Sequence, residues 1–204
     1  TKWDEMDIGS FQAYGLEGQL AGKLWRPALK GLNIDLGNNA AICFDTERLR
    51  VAAAWTGGFI KLPSGRDGLQ GVPKITGDLA FHTPMIPGWA GLKNEWKEPN
   101  PPVVNGEDVY SKGPIPREWA KWRGHYTHGD SVILSYTVGA SSVLELPSFA
   151  NGIFQRQFEI TRSPSKSPMS LLACEVPGAT GSVKGNVALL EKDGHITGVA
   201  VLGS

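Results

Sequence analysis

The sequence predicts an all-β protein, an antiparallel β-sandwich with one long irregular loop and one short helix. Glycine and proline are abundant, at 26 and 14 of 204 residues, and this composition favours many turns and short strands over long helices. Short apolar runs recur between groups of turn residues, which is typical of a sandwich. A jelly-roll-like arrangement or a distorted barrel would show the same spacing.

Residues 39–62 are the longest apolar stretch with few breaks, and they predict the centre of the main sheet. The apolar runs 40–44 and 49–55 flank the polar residues 45–48. Two apolar runs joined by a short polar loop indicate a hairpin. We therefore expect the other strands to be arranged around this hairpin.

The segments on either side of the hairpin differ in character. Residues 1–23 form a polar N-terminal arm with scattered apolar anchors, and the alternation of Leu32, Ile34 and Leu36 predicts a strand. Residues 63–105 are rich in Gly and Pro and predict a long irregular excursion over the sheet, with a short strand at 79–81. A loop of this length is usually either functional or poorly ordered, and its apolar side chains favour order.

The second half of the chain predicts a short helix followed by a β-meander and a last hairpin. Residues 115–122 are the best helical candidate, because Trp119 and Trp122 lie three residues apart on one helical face. Beyond them, alternating apolar segments are separated by Gly-containing turns or a polar loop. The predicted strands are 123–128, 131–138, 142–146, 152–161, 169–176, 187–190 and 196–202, with a loop at 147–152.

Length and charge predict a single β-rich domain over residues 1–204 and exclude some partners. With 41% hydrophobic residues, the chain is neither disordered nor membrane-spanning. The formal net charge is +0, with 20 basic and 20 acidic residues, so no electrostatic reason favours nucleic acid or an anionic membrane. No apolar run is long enough for a transmembrane helix. Because the pattern stops in mid-strand at Ser204, we expect the chain to be part of a longer polypeptide or assembly.

The two cysteines, Cys43 and Cys174, both lie in apolar, strand-like runs. They are either two buried thiols that behave as small hydrophobes or one disulfide that joins distant strands. The sequence contains neither CxxC nor CxxCH, so the chain carries no zinc ribbon and no covalent haem site of its own.

Three histidines raise the question of a metal site. His125 and His128 form an HxxH, but residues three apart on a strand face opposite sides, so both converge only if a turn begins at His128. A third ligand would be needed, for which His82 is available. The simpler interpretation, which we adopt, is that His128 lies at a hairpin turn and that no metal is bound.

The candidate ligand-binding residues are Trp55, Arg66, Asp67, His82 and Trp89. Arg66 and Asp67 lie in a Gly-rich loop, where they could hydrogen-bond a polar ligand, with Trp55 or Trp89 as an apolar platform. Sugars have apolar faces edged with hydroxyls, so their sites combine aromatic rings with planar polar groups. The alternative is a local Arg–Asp pair that stabilises a turn.

No catalytic residue is predicted. Glycoside chemistry needs two acids in one cleft, and spacing alone nominates no pair among the available acidic residues. A nucleophilic serine motif of the GxSxG type is absent, and the Thr-Gly-Gly at 56–58 lacks the lysine of a phosphate-binding loop.

Three phrases of the sequence carry a family resemblance: FDTERLRVAAAWTGGFIKL (44–62), FHTPMIPGW (81–89) and YTHGDSVILSYTVGASSVLELP (126–147). Together they resemble an uncharacterised domain near the N-terminus of large exported proteins of planctomycete and verrucomicrobial type, and the resemblance covers about residues 31–146. In those proteins the domain precedes c-type cytochrome segments that bind haem, and often β-propeller, dehydrogenase-like or sugar-related modules.

The resemblance implies a periplasmic or extracellular location and a c-type cytochrome domain, or another subunit of a larger assembly, as partner. Since this chain lacks CxxCH, haem c would lie on a neighbouring segment or a partner chain. An exported setting also favours the Cys43–Cys174 disulfide.

Two functions follow as hypotheses. The first is a non-catalytic module of an exported, cytochrome-linked assembly, which docks a haem-bearing partner domain or binds a glycan through the long loop and exposed Trp residues. The second is a carbohydrate-active enzyme domain that uses carboxylates from residues 63–105.

Overall fold

The computed structural model describes residues 6–91, 93–100, 102–105, 108–111, 113–161 and 169–203, and these residues form an all-β fold. The predicted β-sandwich is confirmed, since antiparallel sheets pack face to face. Within the described ranges no sheet closes into a barrel, and no helix is present. Accordingly, none of these residues lies in a helix with the length and apolar character that crossing a membrane requires.

The strands of the first half surround the predicted hairpin. They are β1 (Phe11–Ala13), β2 (Leu16–Leu20), β3 (Lys23–Ala28), β4 (Gly31–Asp35), β5 (Ala40–Asp45), β6 (Arg50–Thr56), β7 (Ile60–Lys61), β8 (Ser64–Gly65), β9 (Gly68–Leu69), β10 (Lys74–Ile75) and β11 (Asp78–His82). The described part of the predicted arm, residues 6–23, therefore contributes β1 and β2 to the fold.

The strands of the second half form hairpins and a meander. They are β12 (Pro102–Asn105), β13 (Asp108–Ser111), β14 (Ala120–His128), β15 (Ser131–Val138), β16 (Ser141–Ala150), β17 (Ile153–Thr161), β18 (Thr180–Lys184), β19 (Val187–Lys192) and β20 (His195–Ala200). The predicted meander and the predicted last hairpin are confirmed, and β18 joins that hairpin as a third strand.

Three of the sheets are stacked as layers. The middle layer has the strand order β1-β4-β5-β6-β11, with the predicted hairpin β5–β6 at its centre. One outer layer is the meander β14-β15-β16-β17. The other is β3-β2-β10-β7, in which β10 runs parallel to β2.

Strand β5 is buried on both faces, which explains its continuous apolar sequence. Ile42 and Phe44 belong to the larger core, which the middle layer shares with the meander. Ala41 and Cys43 belong to the smaller core, shared with the other outer layer. Because successive residues of a strand face opposite sides, one strand supplies both cores and can contain no solvent-facing positions.

The turn between β5 and β6, residues 45–50, is buried and built on one carboxylate. Asp45 Oδ1 accepts hydrogen bonds from the backbone N–H groups of Glu47, at 3.0 Å, and Arg48, at 3.2 Å. An aspartate that binds the backbone two and three residues ahead folds the chain into a tight turn. The polar residues predicted to form the turn of the hairpin are thus largely inside the protein.

The guanidinium of Arg50 joins three segments at the base of this turn. Its Nη2 lies 3.1 Å from Asp45 Oδ2 and donates to the carbonyl oxygen of Pro27, in β3, at 2.6 Å. Its Nη1 donates to the carbonyl oxygen of Thr83 at 3.0 Å and to Thr83 Oγ1 at 3.1 Å. Only arginine supplies this many donors in fixed directions, so one buried side chain holds β3, β5 and the end of β11 together.

The long segment 63–105 is anchored to the same turn. Gly88 donates its N–H to the carbonyl oxygen of Arg48 at 2.8 Å, and Arg48 Nε donates to Glu98 Oε2 at 3.0 Å. A Cβ at Gly88 would lie 2.1 Å from the carbonyl oxygen of Leu49, so glycine is required for this approach. The strand predicted at 79–81 is confirmed as β11, and the remaining strands of the segment are short.

The helix predicted at 115–122 is wrong. Residues 117–119 form a single turn, closed by the N–H groups of Trp119 and Ala120 on the carbonyl oxygen of Pro116, and β14 begins at Ala120. A two-turn segment is too short to be stable as a helix in isolation. Pairing of residues 120–122 with β15 extends the sheet instead.

Two other boundaries differ from the prediction. The strand predicted at 169–176 is wrong, since it forms a single bridge between Leu171 and Trp89 rather than a ladder. The loop predicted at 147–152 is mostly strand, because β16 continues to Ala150 and turns at Asn151 and Gly152, both with positive φ. Glycine and asparagine are the residues that tolerate this conformation best.

Replacing Arg50 by Lys tests the role of the buried guanidinium. We expect the free energy of unfolding to fall by at least about 3 kcal/mol, because a lysine leaves buried carbonyl groups without donors. The measurement is urea denaturation followed by circular dichroism.

The matched control is Arg66→Lys. Arg66 forms a bidentate pair with Asp67 at 2.9 Å, but both side chains are exposed, so this variant should unfold like the wild type. Equal effects of the two substitutions would show that burial of Arg50 is not what makes it important.

Candidate functional site

The two predicted aromatic platforms, Trp55 and Trp89, are buried in different cores. Trp55 donates its Nε1–H to the carbonyl oxygen of Phe59 at 2.7 Å, and Trp89 donates to the Tyr136 hydroxyl at 3.3 Å. A ring must expose a face to stack on a sugar, so neither ring is placed for that role. The other described tryptophans are half-buried, and the predicted surface of exposed Trp residues does not form in the described ranges.

The polar members of the predicted site lie elsewhere. Arg66 and Asp67 pair with each other at the tip of the β8–β9 hairpin, which matches the alternative of a local pair that stabilises a turn. His82 ends β11, with its ring centroid 5.3 Å from that of Trp25. Partial burial lowers the pKa of His82. Of the five predicted residues, Trp55 and His82 thus lie on the paired strands β6 and β11, whereas Trp89 lies in the larger core and Arg66 and Asp67 at an exposed hairpin tip.

The histidines do not converge on one point. His125 and His128 both lie on β14, three residues apart and thus on opposite faces. The ring of His125 packs edge-on against Phe11, with centroids 4.5 Å apart. In the part of the chain that the structure describes, no three His, Cys, Asp or Glu side chains are grouped so that they could hold a metal ion.

A cavity of about 380 Å³ lies where the middle layer meets the meander, and we take it as the candidate site. Two strand connections, the β5–β6 turn and strand β14 form its wall. Small-molecule sites span about 300 to 1,000 Å³, so this cavity is at the small end. Its lining residues are Ala13, Tyr14, Gly15, Leu29, Lys30, Gly31, Leu32, Thr46, Trp122 and His125.

Three rings line the cavity, and two of them are held from behind. Trp122 is half-buried and packs on Phe44, with ring centroids 5.7 Å apart. His125 is held by its edge contact with Phe11. Tyr14 is 54% exposed, and no other ring among the described residues packs against it. The site therefore combines two positioned rings with one exposed ring that is free to adjust to a ligand.

The polar groups of the cavity come from the strand connections. Lys30 Nζ is exposed and lies 2.9 Å from Glu47 Oε1, which orients the ammonium group. Thr46 donates its Oγ1–H to the carbonyl oxygen of Lys30 at 2.8 Å and fixes this connection. Among the described residues, the ring nitrogens of His125 and the hydroxyl of Tyr14 make no hydrogen bond, so they are available to a ligand. None of the lining residues carries a carboxylate.

Sequence reasoning missed Tyr14, Lys30 and Trp122 as site residues. They lie on the β1–β2 connection, the β3–β4 connection and β14, far apart along the chain. Pairing of β1 with β4 brings Tyr14 beside Lys30, and packing of the meander on the middle layer adds Trp122, so no motif marks these residues. The one available signal was His125, which we considered only as a metal ligand.

A second polar cluster lies largely inside the sandwich. Glu145 is buried and accepts a hydrogen bond from the Tyr136 hydroxyl at 2.6 Å. It also accepts from Arg156 Nε at 2.6 Å and Nη2 at 3.1 Å, and Arg156 lies over the Phe158 ring at 5.2 Å. Burial of the hydroxyl, with the neighbouring Glu145 charge, raises the pKa of Tyr136 well above its usual value. All partners of the carboxylate are internal, so this cluster fastens strands β15, β16 and β17 together.

The comparison with protein families matches residues 42–145 to the family described as Domain of unknown function (DUF6797). The matched residues nearly coincide with residues 31–146, for which the sequence predicted a resemblance to an uncharacterised domain. The prediction of an uncharacterised family is therefore confirmed. Its description mentions no cytochrome and no group of organisms, so those parts of the resemblance stay predictions. The comparisons with curated proteins and with solved structures found no significant match.

Both cysteines are free thiols, so the alternative of a Cys43–Cys174 disulfide is not realised in this structure. Cys43 is completely buried, and this burial, assisted by the negative charge of Asp45, raises the pKa of its thiol. Partial burial also raises the pKa of Cys174. Thiolates are the reactive form of cysteine, so Cys43 is expected to be inert in the folded protein.

The raised pKa of Cys43 predicts a loss of stability in alkali. The unfolded thiol ionises with a pKa of about 8.5, whereas the folded thiol stays protonated, so stability is complete below this pH and falls above it. The slope for one such group is at most about 1.4 kcal/mol per pH unit. Urea unfolding between pH 7 and pH 10 measures it.

Substituting Cys43 by Ala should flatten this alkaline decline, whatever its effect on stability at pH 7. Cys174→Ala is the matched variant and should flatten it less, because this thiol is only half-buried. An alkaline slope that is unchanged in Cys43→Ala would contradict the assignment.

Proposed function

Since this chain belongs to the DUF6797 family, whose description assigns no activity, we propose a function from its geometry: a non-catalytic module that binds a glycan. The cavity between the middle layer and the meander would take one or two sugar units. The observation that carries the proposal is that Tyr14 and Trp122 line the same solvent-reached cavity as Lys30 and His125.

The chemistry of these side chains suits a sugar. Aromatic rings pack on the apolar C–H face of a pyranose, and the partly exposed rings of Tyr14 and Trp122 offer such surfaces. The ammonium of Lys30 donates to ring and hydroxyl oxygens, and the imidazole of His125 can donate and accept at once. The backbone of the wall is already hydrogen-bonded by Thr46 and Asn33, so recognition would depend on side chains.

The absence of carboxylates from the lining favours binding over hydrolysis. Glycosidases place two carboxyl groups on either side of the scissile bond. The described acidic residues of 63–105 do not line the cavity; for example, Glu98 binds Arg48 and Asp67 binds Arg66. The alternative of a carbohydrate-active enzyme therefore has less support here than the binding module.

An exported location and a neighbouring c-type cytochrome domain remain part of the proposal as predictions from the resemblance. Docking of such a domain would use surfaces other than the buried tryptophans. A glycan-binding module could function with or without an exported location and a cytochrome neighbour, so the binding test does not depend on these two predictions.

Titration with a panel of neutral and uronic-acid oligosaccharides, followed by calorimetry and NMR shifts, tests the proposal. We expect at least one member to bind, and Tyr14→Ala to weaken its binding about tenfold, since one stacked ring contributes on the order of 1 kcal/mol or more. Tyr14 is exposed, so its replacement should leave the fold intact.

The matched control is Tyr126→Ala, an exposed tyrosine on β14 outside the cavity lining, and its affinity should equal that of the wild type. The proposal fails if no oligosaccharide binds, or if the two tyrosine variants bind equally well. Chromatography of the incubated sugars gives a second readout, because cleavage by the wild type would show an enzyme instead.

A further inference from the structure

The C-terminal sheet β18–β19–β20 leaves an apolar face open to solvent. Paired residues of an antiparallel sheet share a face, so the pairs Ser182–Leu189, Lys184–Val187 and Glu191–Ile196 lie on the same side. Three large apolar side chains of this face are exposed: Val187 by 37%, Leu189 by 43% and Ile196 by 65%. Soluble domains seldom leave such a group on one face without a partner.

The charges on this face are arranged in a way that fits the face itself. Lys184 lies beside Val187 at one end, and Glu191 lies beside Ile196 at the other, with Leu189 between them. Neither Lys184 nor Glu191 forms an ion pair or a side-chain hydrogen bond within the described part of the chain. A groove of about 210 Å³ runs along Ser182, Lys184, Val187 and Leu189.

We propose that this face docks a second copy of the same chain around a two-fold axis near Leu189. Rotation about such an axis places the positive end of one copy over the negative end of the other, so that Lys184 meets Glu191 of the partner subunit twice. A two-fold interface uses the same patch on both subunits and therefore requires a self-complementary patch. The apolar centre would be buried between the two groups of charges, as in other interfaces.

The size of the patch sets the expected strength. Three exposed apolar side chains on each copy make a small interface, so the dimer should be weak and depend on protein concentration. The two ion pairs would determine the orientation and make association sensitive to salt. The face is separate from the cavity, so dimer formation and ligand binding can fail independently.

Charge reversal provides the test, measured by sedimentation velocity over a range of concentrations. Lys184→Glu and Glu191→Lys should each weaken self-association about tenfold or more, because like charges then face each other. The double variant should associate like the wild type. An equimolar mixture of the two single variants should form a heterodimer, because both of its charge pairs are opposite again.

Lys121→Glu and Glu159→Lys are the controls, since these exposed residues lie on the meander, and neither should change association. Leu189→Asp should abolish the dimer, and circular dichroism verifies the fold of each variant. A wild type that stays monomeric at all concentrations, or single variants that fail to form the heterodimer, would overturn the proposal. If a different molecule covers this face, the wild type should stay monomeric at all concentrations.

Discussion

The buried pair of Arg50 and Asp45 is the interaction on which the other parts of the fold depend. Asp45 uses one oxygen to fold the β5–β6 turn and the other to bind Arg50. Arg50 then reaches Pro27 and Thr83, on either side of the hairpin. A buried charge is costly unless it is paired and hydrogen-bonded, so these segments have one arrangement that satisfies it. The polar turn thus fixes the relative positions of these segments as well as stabilising the fold.

The three-layer arrangement follows from a hairpin that is apolar on both faces. A strand with one apolar face needs one packing partner, whereas β5 needs two, and the outer layers supply them. The long segment 63–105 can remain irregular because it is anchored at Gly88 and Glu98 to the buried turn and at Trp89 to the meander. Trp89 is therefore a structural residue that packs this segment onto the meander.

The candidate cavity lies at the edge of the larger core, where the strands of the middle layer give way to strand connections. The larger core is filled by side chains such as Phe44 and Tyr136, and the cavity opens beside them, where strand connections replace strands. The core holds Trp122 in place from behind, and the β5–β6 turn orients Lys30 through Glu47. The same turn that organises the fold therefore also positions a polar group of the candidate site. The C-terminal sheet contributes nothing to the cavity, which makes its open face a separate feature.

Local patterns were sufficient for the all-β class, the central hairpin, the meander and the last hairpin, because apolar alternation and turn residues act between neighbours in sequence. They failed at 115–122, where pairing with β15 outweighed the helical spacing of Trp119 and Trp122. The candidate site depended on tertiary structure entirely. Tyr14 and Lys30 become neighbours through the pairing of β1 with β4, and Trp122 joins them only when the meander packs on that sheet. Trp89 is buried by the same packing, whereas Trp55 is buried in the smaller core against the other outer layer. Periodicity reports which side chains share a face of one element, but not which faces meet.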